Sequence, residues 1–376
     1  MKVSIILPVY KKGSCLNEIL QSLSEDPYPN KEVIVIVDEP TKECLNTLNN
    51  FSNLEYFKII LNPKRTGKVN ALNRGVEESS GELLLFLDSD VYIPNDSKNF
   101  LESLVEEAKD ADIIDIMKEA EVSSWLSRLI YYDYFSFTFS NWILIKETGS
   151  TLGLNGAAFA VKKDVIEKLG GFRKTIVEDL DFAARASYAG YKFSILCGKK
   201  VMVRIDFNEK QWLRQRWRWS LGCVNWIRSN YRFFKSRFLK KPKIMFSAVS
   251  TLFPLLLVPF MLVILTILIS SDIIFHWIAY LLENTAPLSL LTNFSLETLP
   301  AYILLILLYT ILSSTIITII TYSIASKKLG YHFKAPEFLA YHLFYNPLWF
   351  MLVLYSMLKT KLKKNIDLKI LDWYIE

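Results

Sequence analysis

A chain of 376 residues has room for one large domain plus a membrane region, or for two modest domains. Its residues are 51% hydrophobic yet 22% charged, so the apolar ones must be unevenly spread, which argues against a wholly soluble protein. The formal net charge of +6 gathers beside apolar runs, where anionic headgroups are the expected partner and nucleic acid is not.

The first ninety residues alternate regularly. Val3–Leu7, Glu32–Val37, Tyr56–Leu61 and Leu83–Leu87 are short runs rich in Val, Ile and Leu, the pattern of strands buried on both faces. Amphipathic stretches near 14–24, 41–51 and 67–79 predict crossover helices between them. The expected fold class is α/β, a doubly wound and mostly parallel sheet. Such sheets bind ligands beyond the carboxyl ends of their strands. Tyr10, Asp38-Glu39, the segment Arg65 to Lys68, and Asp88-Ser89-Asp90 all fall there. Residues 110–150 are strongly aromatic; core, the commonest outcome for such residues, an acceptor surface and a part resting on lipid are the open readings, and no role is assigned. No internal repeat is visible, so a solenoid is not expected. Cys15, Cys44, Cys197 and Cys223 lack metal or redox spacing, and disulfides are not expected.

Four segments could do chemistry. Asp88-Ser89-Asp90 leaves a buried strand into a turn, and two carboxylates around one small residue suit a divalent cation that also binds phosphate. Asn62 to Lys68 joins a strand to a helix and can present amides and cations to an anion, with Lys68 the candidate phosphate contact and Gly67 allowing close approach. Glu178-Asp179 precedes a helical stretch, and a carboxylate there could accept a proton from an attacking hydroxyl. Asp181 competes for that role. Gln211 to Trp226 is dense in Trp and Arg. An interfacial helix explains Trp212 and Trp226, whereas the order Gln215, Arg218, Trp219 suggests a diphosphate contact through Arg218 and a sugar-facing ring at Trp219.

Beyond residue 244 the composition becomes lipid-like. Met245–Ser271 and Ala301–Ser326 contain no Asp, Glu, Lys or Arg and are long enough to cross a bilayer, which takes about 20 residues. Phe338–Leu358 is a third uncharged run. Lys and Arg flank the first two runs, and residues 272–300 between them carry only acidic charges, so residues 1–243 are expected in the cytoplasm. The basic tail 359–376 also belongs there. Pro347 therefore suggests an interfacial or broken helix in the third run, with a full span as the alternative. No signal peptide is expected, since Val3–Leu7 is too short and runs into Pro8. The expected organisation is a catalytic domain over 1–225, a basic interfacial segment over 226–244, a membrane region over 245–358 and the tail.

These motifs resemble the membrane-bound branch of family 2 glycosyltransferases, which has a GT-A fold and a Q-x-x-R-W signature and includes cellulose, chitin and hyaluronan synthases and ceramide glucosyltransferases. The matching pieces are Ile5 to Tyr10, Asp38, Gly67 to Asn73, Asp88-Ser89-Asp90, Gly156 with Lys162-Lys163, Glu178-Asp179 and Gln215 to Trp219. The resemblance implies that Pro8, Tyr10 and Asp38 border the nucleoside and Lys68 the diphosphate. It places Asp88 beside the donor, and Asp90, with Asp88, at a Mg or Mn ion. It makes Asp179 the general base supported by Glu178. Gln215, Arg218 and Trp219 would close over the diphosphate and the acceptor sugar, with Gly156 on the acceptor side. The implied reaction is inverting transfer from a nucleotide-sugar donor, of the uridine diphosphate type, to a glycan or lipid acceptor. The implied setting is a multi-pass protein of the cell membrane with its GT-A domain cytoplasmic.

Two departures bear on this. Glu39-Pro40-Thr41 follows Asp38 where the family often has a second acidic residue and a Gly-Ser turn. The chain also opens on its first strand, with few spans for an export channel, which favours a lipid-linked or short product, or a channel shared within a homo-oligomer. The alternatives are transfer to a polyprenyl phosphate, which needs no base, and a non-catalytic membrane protein that binds glycan or nucleotide.

Overall fold

The computed structural model describes residues 1–231 and 299–362. The run 245–271, and most of the expected basic segment, outward loop and tail, lie outside the described residues. The chain divides into two compact units, Met1–Thr251 with Leu348–Glu376, and Leu252–Pro347.

The first unit is built on strands β1 (Val3–Tyr10), β2 (Lys31–Asp38), β3 (Phe57–Asn62), β4 (Leu83–Leu87), β5 (Val91–Tyr92), β6 (Ile113–Ala120), β7 (Ala158–Lys162) and β8 (Phe193–Val203). Together they form one sheet in the order β3-β2-β1-β4-β7-β6-β8-β5. The four strands expected from the sequence pair in parallel as β3-β2-β1-β4. The other half corrects the expectation of a mostly parallel sheet. There β7 runs antiparallel to both neighbours and β5 antiparallel to β8, so the sheet is mixed. The connection from β6 runs through the long helix α5 (Trp125–Thr148) and a loop, and it brings β7 in antiparallel to both β6 and β4.

Alternation along the strands sets the two faces. Ile5, Leu7, Val33, Val35 and Val37 pack on one side with Leu16, Leu20 and Leu104, from α1 (Leu16–Glu25) and α4 (Phe100–Glu107). Ile6, Ile34 and Ile36 pack on the other, against Leu72 of α3 (Lys68–Glu78), Val165 of α6 (Lys163–Leu169) and Phe182 of α7 (Glu178–Ala189). Helices thus cover both faces, as expected of a doubly wound fold, and β1 and β4 flank the point where the strand order reverses. After β2, α2 (Lys42–Asn49) is capped by Thr41, whose side chain accepts from the amide of Cys44, and its Cys44 and Leu48 pack on the first of these faces.

Two long helices follow in this unit. α5 opens on a capping box between Ser124 and Ser127 and buries Tyr131, Tyr132 and Phe135, while Trp125 at its start is exposed. α8 (Glu209–Ser229) opens on a second capping box, Asn208 with Gln211, and runs without a break through the expected boundary at residue 225. Trp212 and Trp226 are buried within it instead of lying at a headgroup level.

The second unit includes α9 (Leu299–Leu329) and α10 (Ala335–Ala340). A π-helical turn, Tyr341–Tyr345, leads from α10 into α11 (Asn346–Leu362). Proline lacks an amide proton, so Pro347 cannot complete the regular hydrogen-bond ladder, and the wider turn sits just ahead of it. The expected break is thus a local change of pitch inside a continuous helical run. Among the described residues, Ala335–Thr360 is the one stretch long and apolar enough to cross a membrane. From Leu348 on, α11 belongs to the first unit, where Ser356 hydrogen-bonds Ser220 of α8 at 2.7 Å and the Thr360 carbonyl accepts from Arg228 Nη1 at 2.9 Å.

Candidate active site

The polar residues expected on the rim do converge at the carboxyl ends of β1, β2 and β4. Asp38 ends β2, and its carboxylate accepts from the amides of Thr66 and Gly67, both at 2.8 Å, and from Asn62 Nδ2 at 2.9 Å. Asp38 is only 4% exposed. Its immediate role is to fold the 62–67 loop, bringing Gly67 to φ 89°, a left-handed conformation that favours glycine, just before α3. Pro8, Tyr10, Asp38, Arg65, Gly67 and Lys68 line one pocket there. Arg65, given no role from sequence, lies 4.9 Å from the centre of the Tyr10 ring, while Tyr10 Oη donates to Glu39 at 3.2 Å. Its position in a cationic loop was the available signal. Asp38→Ala strips charged acceptors from two backbone amides, and the loop should loosen. The expected result is a donor KM raised about tenfold or more, measured by initial rates, with kcat less affected.

Lys68 opens α3 and reaches across the site. Its Nζ lies 2.7 Å from the Asp88 carboxylate and 3.2 Å from Glu178 Oε1. Burial alone would lower its pKa, but Asp88 and Glu178 outweigh burial and hold the ammonium well above lysine's ordinary value. One cation therefore joins the segment after β4 to the start of α7.

Asp90 contrasts with Asp88. Its Oδ1 is buried and finds no hydrogen-bond partner among the described residues. Burial, then the charge of Asp88, push its pKa up to about 7 against the pull of Lys68, with Asp206 adding to the rise. A buried carboxylate oxygen left open in an acidic surround suits a hard cation. No group of three or more His, Cys, Asp or Glu placed to hold a metal occurs among the described residues. The residues present thus fit an ion that takes much of its coordination from phosphate oxygens or water, as magnesium does.

Asp179 lies at the start of α7. Its Oδ2 accepts from the Gly156 amide at 2.8 Å and its Oδ1 from the Leu180 amide at 2.7 Å. Burial raises its pKa above the usual aspartate range, although Lys68 and both amides pull it back. Burial raises Glu178 likewise, opposed by Lys68. The competing Asp181 is committed elsewhere: it accepts from Trp226 Nε1 at 2.9 Å and Arg185 Nε at 2.8 Å, pinning α8 and the helix's own next turn. Trp226 is thus a structural partner of α7.

Gly156, expected on the acceptor side, holds the Asp179 carboxylate directly. A Cβ there would stand 2.9 Å from Asp179 Oδ2, too close to leave the carboxylate in place. The Gly156→Ala variant should fold normally and lose roughly 100-fold in kcat, because a displacement near 1 Å at a reacting group costs about that much. Comparing kcat with the melting temperature checks it.

α8 carries Gln215, Arg218 and Trp219, each half-buried. Gly222 of the same helix packs on Ile176 and Val177, immediately before Glu178-Asp179. Arg216 is the residue the sequence did not single out. It is 3% exposed, pairs with Asp133 of α5 at 2.9 Å and lies 4.3 Å from the Trp219 ring, so it fixes that ring's orientation.

Residues 4–170 match the family described as Glycosyl transferase family 2. The match stops before Glu178-Asp179 and the Trp-rich helix, which rest on their own geometry. Curated relatives include the "Probable glycosyltransferase YdaM" of Bacillus subtilis, 25% identical over 234 residues, covering 59% of this chain and 55% of that protein. The poly-beta-1,6-N-acetyl-D-glucosamine synthase of Staphylococcus epidermidis is 29% identical over 99 residues, covering 26% of this chain and 24% of that one. The chain therefore spans about half or less of the length of these two relatives. Among solved structures, a mannosyltransferase of Pyrobaculum calidifontis in complex with GDP-Man and Mn2+ aligns with TM-score 0.49 and 18% identity, covering 67% of this chain and 74% of that one. Residues 4–170 are thus similar to glycosyl transferase family 2 domains, and the sheet they help to build is of mixed α/β type.

Proposed function

We propose that the protein is an inverting, metal-dependent glycosyltransferase that moves a sugar from a nucleoside diphosphate, of the uridine type, to a hydroxyl of a glycan or glycolipid at the cytoplasmic face of a membrane. The observation that carries this reading is Lys68, which ties Asp88 to Glu178 and so holds the donor side and the base side in one cleft. The pocket over Pro8, Tyr10 and Gly67 would take the nucleoside, its loop folded by Asp38 and flanked by Arg65. Lys68 and Arg218 would meet the diphosphate. Asp90, with Asp88 beside it, would hold Mg or Mn, and a divalent ion there supplies positive charge to the departing diphosphate.

On the opposite side Asp179 would take the acceptor's hydroxyl proton as that oxygen attacks the sugar carbon, inverting the anomeric centre in one displacement. Glu178 shares Lys68 with Asp88 and so supports the base from the adjacent position. Gln215 and Trp219 would orient the acceptor sugar.

Membrane attachment is supported by the exposed apolar faces. In α11, Leu348, Met351, Tyr355 and Leu358 fall at helical spacing and all are exposed. In α9 the same holds for Leu312, Ile316, Ile320 and Ile324, and Lys327-Lys328 ends that run where anionic headgroups would sit.

A polyprenyl phosphate acceptor is already anionic and would leave the seated Asp179 without a task, so transfer to a hydroxyl is favoured. The test is to give the purified, lipid-reconstituted protein labelled UDP-glucose, UDP-N-acetylglucosamine and GDP-mannose with Mg or Mn and to identify the products. A β-linked glycan or glycolipid is expected. Lipid-phosphate monosaccharide as the sole product would overturn the hydroxyl-transfer reading.

A further inference from the structure

Asp115 and Lys118 form an ion pair inside β6, each almost wholly buried, and the mechanism above makes no use of it. Residues three apart on a regular strand face opposite sides. Here the two side chains nonetheless meet, beside a break in the register against β8 between Ile116 and Met117. Burying both charges is costly, and an apolar pair of similar volume would serve stability as well or better. Something other than stability therefore favours the pair.

The hydrogen bonds leading away from it show what. Asp115 Oδ2 accepts from Asn141 Nδ2 of α5 at 3.2 Å, and Asn141 is fully buried. The same amide nitrogen donates to the Gly153 carbonyl, while Asn141 Oδ1 accepts from Thr151 Oγ1 at 2.9 Å. Thr151 Oγ1 in turn accepts from the Gly153 amide at 3.0 Å. A loop clamped at 151–153 reaches the chemistry within four residues: the Gly156 amide donates to Asp179, and the next carbonyl, of Ala157, accepts from the Asp88 amide at 2.9 Å. Burial lowers the Lys118 pKa, opposed first by Asp115 and then by the charges of Asp179 and Asp88.

We infer that the buried Asp115–Lys118–Asn141 cluster positions the 151–157 loop, and through it sets the spacing between the base at Asp179 and the metal motif at Asp88. These are positioning residues. The inference rests on the proposed role of Asp179.

The experiment uses the full-length, lipid-reconstituted protein. The first variant replaces the pair together, Asp115→Leu with Lys118→Met. The second is Thr151→Val, with Thr151→Ser as its hydroxyl-keeping control, so that a result remains if the double variant fails to fold. Calorimetry with UDP and Mn2+ reads donor-site binding, and nucleoside diphosphate release from the same three labelled sugars reads kcat. UDP binding should stay within about twofold of wild type while kcat falls roughly 100-fold in the double variant and about tenfold in Thr151→Val, with Thr151→Ser near wild type. If Thr151→Val, and the double variant where it folds, turn over like wild type while Asp179→Asn is inactive, the positioning role is overturned and the proposed function stands. An active Asp179→Asn would overturn both.

Discussion

Asp179→Asn should lower kcat by roughly 10³-fold while UDP and Mn2+ bind as in wild type, since positioned general bases contribute about 10²–10⁴-fold. Asparagine keeps the shape of the side chain and an oxygen for one of the two amides, while its NH2 turns to the other, so a melting temperature is measured beside the rate. What it loses is the ability to take a proton. The same assignment fixes a pH dependence. Burial raises the Asp179 pKa above 3.8, and only the ionised form is a base. Activity is therefore full above that raised value and falls as pH drops through it, by about tenfold per unit for kcat/KM, which reports the free enzyme. Rate profiles of wild type and of the residual activity in Asp179→Asn, both at saturating Mn2+ so that Asp90 stays ionised, would show it: the limb that Asp179 contributes should be missing from the second. A full rate in the variant would remove Asp179 from the chemistry.

Asp90→Asn should have two opposite effects. The carboxylate is buried, one oxygen is open, and burial and Asp88 together push its pKa up to about 7. Removing that charge relieves a repulsion with Asp88, so the metal-free protein should melt about 2–4 °C higher, the shift expected for about 1 kcal/mol in a domain of this size. The cation site is weakened by the same change. The variant should bind Mn2+ with UDP at least about tenfold more weakly, the loss of one charged ligand being worth 1.4 kcal/mol or more. Stability gained with function lost is the pattern of a residue kept strained for its task. Thermal melts without metal, paired with Mn2+ titrations in the presence of UDP, read both effects.

How far the sequence foretold this follows from the physics of each part. Strands β1 to β4 were legible because parallel strands covered on both faces read as unbroken Val, Ile and Leu runs with polar residues at one end. Strands β6 to β8 were not. Polar residues interrupt β6 at Asp115 and Lys118, and β8 is irregular opposite Ile116 and Met117, so neither shows a clean period. Asp181 and Asp179 look alike in sequence, and only the partners Trp226 and Arg185 distinguish them. Gly156 was visible as a motif residue, but its amide's bond to Asp179 depends on a contact across 23 positions. Asp38 was expected at the nucleoside; its buried carboxylate instead spends its acceptors on the 62–67 loop, and its influence on the donor would pass through that loop.

The claim beneath all of this is that a metal ion and a nucleoside diphosphate share one cleft with Asp179. An experimental structure of the full chain with UDP and Mn2+, recorded at a wavelength where manganese scatters anomalously, tests it most directly. The account predicts an anomalous peak against Asp90, with the diphosphate between it and Lys68. A manganese peak away from Asp90, or UDP bound outside the pocket over Tyr10 and Gly67, would contradict it.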